Sequence, residues 1–162
     1  MSAAAPAAKP GPPATVELCL DSSVVVNLIL QKPGWRAVHS VLQKPSVSGI
    51  LPGPVLTEMI NVSRREGNRS TGSQLHELLG AMGLRVEHPT EDDLVRAAEL
   101  LEISRDNPGP PSPITQEEGT LSLADSLILA IAERLGCMVL TRDRYWKWMV
   151  DQDLLEVRVA IP

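Results

Sequence analysis

The chain has 162 residues, a formal net charge of −5 and a hydrophobic fraction of 43%. Those values suit one globular domain with a real core, and the acidic balance argues against a general nucleic-acid binder. Phe is absent and there are one Tyr and three Trp, so the core must be built from Leu, Val, Ile and Ala.

The first stretch, MSAAAPAAKPGPPA, is rich in Ala and Pro. Pro6 and Pro10 interrupt the apolar run that a signal peptide needs, and the composition predicts a disordered tail over 1–14, followed by a single domain over 15–162. No apolar run approaches the ~20 residues of a membrane span, so no membrane partner is expected. Neither Cys19 nor Cys137 belongs to a CxxC pair, so a disulfide framework or zinc site is not expected, and both read as buried, reduced thiols of a cytosolic protein.

Thr15 to Leu20 reads as a strand that Asp21-Ser22-Ser23 ends. Val24 to Leu30 is almost wholly apolar and fits strand or buried helix by periodicity alone. A capping residue before it and Pro33-Gly34 after it favour helix. Trp35 to Leu42 is a short amphipathic helix, and Val47 to Leu51 a second strand. Pro54 suits the first turn of a helix reaching about Arg65, with Val55, Met59 and Val62 inward. Ser70 to Met82 is a further helix stopped by Gly83, and Leu84 to Glu87 a third strand. Thr90 opens a helix with a capping-box pattern and Leu94, Ala97, Ala98 and Leu101 inside. Residues 105–120 hold four Pro and two Gly, a long loop that is either functional or disordered.

The stretch from Leu121 to Trp146 organises the rest. Ser122 caps a helix whose inward face is Leu123, Leu127, Ala130, Ile131 and Leu135, and Gly136 ends it. Cys137 to Leu140 is a short buried strand, a further helix begins after Asp143, and Leu155 to Val159 reads as an edge strand. Strands alternating with helices predict an α/β fold, a mostly parallel sheet with helices on both faces.

Four acids stand at matching places on these elements. Asp21 and Asp143 follow strands, Asp125 sits in a first helical turn, and Glu58 lies on the helix after the second strand. Each has a local role open to it: Asp21 and Asp143 as N-caps, Asp125 as the third residue of a capping box, Glu58 as a solvated helix residue. Together they point to one sheet edge, where like charges need compensation. An all-oxygen set without His or Cys fits Mg²⁺ or Mn²⁺ rather than zinc, and such a site activates water at a phosphoryl centre. Setting the four acids aside leaves a net charge of −1. Ser23 and Thr141 stand two residues from Asp21 and Asp143 and can orient a carboxylate or water. Arg64, Arg65, Arg69, Arg142, Arg144 and Lys147 lie near the expected mouth and are candidate phosphate contacts. His39, His76 and His88 bear no spacing to the acids and read as surface residues. Trp146 and Trp148 read as packing anchors, with base stacking the alternative.

Asp21-Ser22-Ser23, Glu58 in LTEMINV, Asp125 in SLADSLILAIAERLG and Asp143 in VLTRDRYW resemble the PIN domain, specifically the VapC-type toxins of toxin–antitoxin pairs. The resemblance covers about 15–162. It implies a sheet of order 3-2-1-4-5, Mg²⁺ or Mn²⁺ dependence, endoribonuclease activity, a homodimer, and a co-encoded antitoxin covering an acidic groove in a prokaryotic cytoplasm. It makes Asp21, Glu58, Asp125 and Asp143 the acidic quartet and Thr141 a frequent hydroxyl partner. The tail and the 105–120 loop depart from the family's pattern. A non-catalytic PIN-like module binding RNA or protein and another Mg²⁺-dependent phosphohydrolase are the rivals. An aspartyl-phosphate phosphatase would carry a second Asp where Ser23 stands, and neither GxGxxG nor a P-loop occurs.

Overall fold

Five parallel strands form one sheet in the order β3-β2-β1-β4-β5. The computed structural model describes residues 15–162; the tail expected over 1–14 lies outside them. The elements run β1 (Val16–Leu20), α1 (Ser22–Ile29), α2 (Trp35–Leu42), β2 (Val47–Pro52), α3 (Gly53–Arg65), α4 (Gly72–Ala81), β3 (Leu84–Glu87), α5 (Glu91–Asp106), α6 (Leu123–Leu135), β4 (Met138–Leu140), α7 (Arg144–Asp151) and β5 (Arg158–Ala160). The α/β class and the 3-2-1-4-5 order match the expectation. From β1 the chain builds outward through β2 and β3 on one side, then crosses to β4 and β5 on the other. With the right-handed crossovers of parallel sheets, this reversal puts helices on both faces and opens a crevice between the carboxyl ends of β1 and β4.

The register brings those two ends level. Leu20 pairs with Leu140, and the Asp21 amide donates to the Leu140 carbonyl at 2.9 Å. The core is aliphatic: Leu20, Val25, Ile50, Leu51, Val139 and Ile131 are fully buried, and Trp146 is the one large aromatic among the fully buried side chains. Both cysteines are buried and unpaired. No helix among the described residues is long and apolar enough to cross a membrane.

Several boundaries and faces differ from expectation. α4 starts at Gly72 because Thr71 and Gln74 close a capping box there, two residues after the expected start. α5 extends to Asp106, so the Pro-rich loop begins at 107. Its buried face is Asp93, Ala97, Leu100 and Ser104, while Leu94 is 53% exposed. Asp93 is held by Arg134 of α6 through bonds of 2.9 and 3.1 Å, so the buried face of α5 carries a paired acid where Leu94 is expected. Leu123, expected inside, is 64% exposed; α6 instead buries Ile128, Leu129, Ala130, Ile131 and Ala132. β5 begins at Arg158, because the three residues of β4 leave only three partners for it.

Candidate active site

The crevice between β1 and β4 brings Asp21, Asp125 and Asp143 within electrostatic reach of one another, while Glu58 lines a neighbouring cleft. Asp21 is 4% exposed and precedes α1, yet its side chain makes no cap bond. The Asp21 backbone carbonyl accepts the amides of Val24 and Val25 instead. Its carboxylate faces two hydroxyls: Ser23 Oγ donates to Oδ2 at 2.6 Å and Thr141 Oγ1 donates to the same oxygen at 2.8 Å. Thr141 is fully buried and accepts the Asp143 amide at 2.9 Å; Ser23 accepts the Arg142 amide at 3.1 Å. Thus the turn after β4 is sewn to the turn after β1 by hydroxyls at the positions expected to support the acids.

Asp125 and Asp143 both take the capping role that the sequence leaves open. Asp125 accepts the Ser122 amide at 2.8 Å in a closed capping box, and Asp143 accepts the Tyr145 amide at 2.8 Å as the N-cap of α7. Both also belong to one electrostatic cluster. Burial pushes the Asp125 carboxyl up to about 6, against its bonds to Ser122, and the charges of Asp21 and Asp143 push the same way. The Asp143 carboxyl is raised by partial burial and by Asp21, against its bond to Tyr145. A surface cap would feel neither neighbour.

Glu58 is half-buried on α3 and borders a cleft of about 370 Å³ with Ser22, Ser23, Asn27, Lys32 and Arg142. None of the three aspartates lines that cleft; Ser23, which donates to Asp21, is the residue it shares with them. Among the described residues no group of three His, Cys, Asp or Glu side chains closes around a common point. One oxygen of Asp125 and one of Asp143 accept helix-end amides. The donor chemistry nevertheless fits a hard divalent cation. The set is all oxygen, and burial and mutual repulsion disfavour the ionised carboxyls until positive charge is supplied.

The candidate phosphate contacts divide. Arg64, Arg65, Arg69, Arg142 and Arg144 are exposed and take no ion pair among the described residues. Arg142 borders the Glu58 cleft and Arg144 a second cleft beside Asp143. Lys147 is committed to Asp151 one turn along its own helix. Two further residues at the site are not singled out by the sequence. Asn27 is 4% exposed and donates to the Pro33 carbonyl at 3.2 Å, and Lys32, paired with Glu66 at 3.2 Å, borders the same cleft as Glu58. The signal for Asn27 is its place as the lone polar residue in an apolar run. His76 and His88 are exposed and His39 packs edge-on against Trp35, away from the acids.

The family model for the PIN domain matches residues 18–149, which span β1 through α7 and all four acids. The chain belongs to the PIN domain family. As a PIN domain it resembles solved structures across most of its length. The VapBC2 pair of Rickettsia felis, bound to a fragment of its promoter DNA, superposes with a TM-score of 0.65 at 13% identity, covering 90% of this chain and 98% of the other. VapBC-1 of nontypeable Haemophilus influenzae gives 0.63 at 14%, with 90% and 98% covered. VapC20 of Mycobacterium tuberculosis, a toxin that cleaves the sarcin–ricin loop, gives 0.60 at 18%, with 87% and 98% covered. At these identities the likeness is one of fold. No curated protein matches the chain in sequence.

Proposed function

We propose that this PIN domain, as one unit over 15–162, is a divalent-metal-dependent endoribonuclease and the toxin of a type II toxin–antitoxin pair. The observation that carries the reading is the placing of Asp125 and Asp143 within the electrostatic reach of Asp21 at the sheet's switch point, with both carboxyls raised by burial and by the Asp21 charge. Asp21, Glu58, Asp125 and Asp143 would hold Mg²⁺ or Mn²⁺, which when bound would supply Lewis-acid polarisation of a phosphoryl oxygen and activation of water. The protein's own part is orientation. Ser23 and Thr141 fix the Asp21 carboxylate, and the capping amides of Ser122 and Tyr145 hold Asp125 and Asp143 in place. Arg142 and Arg144 flank the acids and hold the backbone phosphates of RNA. The partners are an RNA substrate, a cognate antitoxin with a basic side chain for the groove, and a second copy of the chain, in a prokaryotic cytoplasm. The likeness to VapBC pairs supports the antitoxin.

The lack of a closed three-acid cluster favours one rival, a PIN module that binds RNA without cutting it. One experiment separates them. Purified protein is incubated with RNA and with a small phosphomonoester, in Mg²⁺, Mn²⁺ or EDTA, beside Asp21→Asn. Metal-dependent RNA cleavage that the variant lacks is the expected result. RNA binding without cleavage in any metal would establish the rival, and hydrolysis of the monoester alone would establish a phosphatase.

A further inference from the structure

The loop over 107–122 is built onto the active site rather than hanging from it. The Gly109 amide donates to the Gly119 carbonyl at 2.8 Å and closes the base of the loop over Tyr145. A Cβ at Gly109 or Gly119 would stand 2.4 or 2.6 Å from a Tyr145 ring carbon, so only glycine lets the two strands lie on the ring. The Tyr145 hydroxyl pairs with Ser104 Oγ at 2.9 Å and donates to the Asn107 carbonyl at 2.8 Å. Trp148, one turn further along α7, stacks on Tyr145 with centroids 5.6 Å apart and planes 18° apart.

Between this aromatic pair and Pro110, Pro111 and Pro113 lies a cleft of about 340 Å³, whose lining also includes Asp143 and Arg144. That size is at the small end of ligand pockets. We propose that the cleft is a nucleobase subsite, in which a base next to the cleaved phosphodiester packs on Trp148 opposite the proline wall. This rests on the nuclease reading above. The slot is apolar and bordered by rigid groups, the requirement for stacking a flat π-face at small entropic cost. Asp143 shares its lining, so an RNA strand with its phosphate at the acids carries a neighbouring base past the opening. Arg144 offers that strand a guanidinium with no ion pair among the described residues. Ser112 and Glu117 at the border supply polar atoms for a base edge, which an apolar side chain of a protein partner would leave unmet. A base enters such a slot only when unstacked, so the substrate is single-stranded or looped RNA.

The test uses the full chain in EDTA, with single-stranded RNA oligonucleotides carrying a photoreactive thio-base at successive positions. Affinity is read from the fluorescence anisotropy of a 5′-labelled oligonucleotide and position from cross-links mapped by mass spectrometry. We expect Trp148→Ala to weaken binding about tenfold and Trp148→Phe to keep it within about threefold, in line with the worth of one stacked base. We expect cross-links at Trp148 or within 110–119. Wild-type affinity in Trp148→Ala, or cross-links only outside the cleft, would overturn the subsite; the latter decides even where the alanine variant fails to fold. Loss of binding to a protein partner in Trp148→Ala with RNA affinity unchanged would overturn it in favour of a protein dock. Binding at Trp148 in EDTA, together with no cleavage of the same oligonucleotides in Mg²⁺ or Mn²⁺, would refute the nuclease reading alone.

Discussion

Asp125→Asn separates a structural acid from a functional one, because the two roles predict opposite signs. In the folded protein the Asp125 carboxyl is raised from 3.8 to about 6. A raised carboxyl binds its proton more tightly folded than unfolded, so it favours folding below the unfolded value and opposes it once pH rises through about 6. The full shift corresponds to about 3 kcal/mol of opposition at neutral pH, and partial exposure reduces this to about 2 kcal/mol. Asn keeps the size, and its amide oxygen can still accept the Ser122 amide at the observed 2.8 Å. It forfeits the charge at the helix end, about 0.5 kcal/mol. The net expectation at about pH 7.5 is a gain near 1.5 kcal/mol, a rise in Tm of roughly 3–6 °C for a chain of this size. The difference should vanish near pH 4. Thermal melts of the metal-free protein across pH measure this, with Mn²⁺ calorimetry and RNA cleavage alongside. The variant should be more stable, bind Mn²⁺ more weakly and fail to cleave. A lower Tm near neutral pH with normal cleavage would make Asp125 a cap and nothing more.

Thr141→Val removes the hydroxyl that donates to Asp21 and accepts from Asp143, leaving Asp21 with Ser23 alone on Oδ2 and the Asp143 amide without its partner; the unfolding free energy from urea titration should fall by about 1–3 kcal/mol, cleavage should drop, and Thr141→Ser should restore both. Arg134→Ala strips the ion pair from Asp93, which is 2% exposed, and should cost about 2–3 kcal/mol in denaturation, after allowance for the partly exposed Arg134 side chain, while Mn²⁺ affinity stays unchanged. Gly119→Ala forces the loop off the Tyr145 ring; limited proteolysis should then cut within 107–122 at protease levels that leave the wild type intact.

Features governed by neighbours in sequence are legible from the residues alone. Ser122 with Asp125 marks the start of α6 and Gly136, at φ +63°, its end, because capping acts over three or four residues. The four acids stand out for the same reason: each sits in a short pattern beside an apolar run. Features governed by distant partners are not legible in this way. Leu94 reads as core by spacing, but Asp93, paired with Arg134 41 residues away, takes the buried face of α5. The Pro-rich composition of the loop announces irregular backbone yet says nothing of Tyr145, which seats it. Asp21 is the sharpest case. Its sequence context fits an N-cap, but its carboxylate makes no cap bond and accepts instead from Ser23 and from Thr141, 120 positions away.

The two hydroxyls on Asp21 also make it a one-sided ligand. Both Ser23 and Thr141 donate to Oδ2, whereas Oδ1 receives only a long 3.4 Å contact from Ser22. A carboxylate with one oxygen saturated this way offers its remaining lone pairs in a single direction and resists a symmetric, two-oxygen grip. Were a divalent ion held here, calcium, which accepts bidentate carboxylates and crowded, pliable shells, would lose that advantage, while the smaller magnesium ion, content with single oxygens and retained water, would not. Discrimination between the two ions would therefore be set by a serine and a threonine that touch neither, and Ser23→Ala, by releasing part of Oδ2, should narrow the preference for magnesium over calcium in competition titrations.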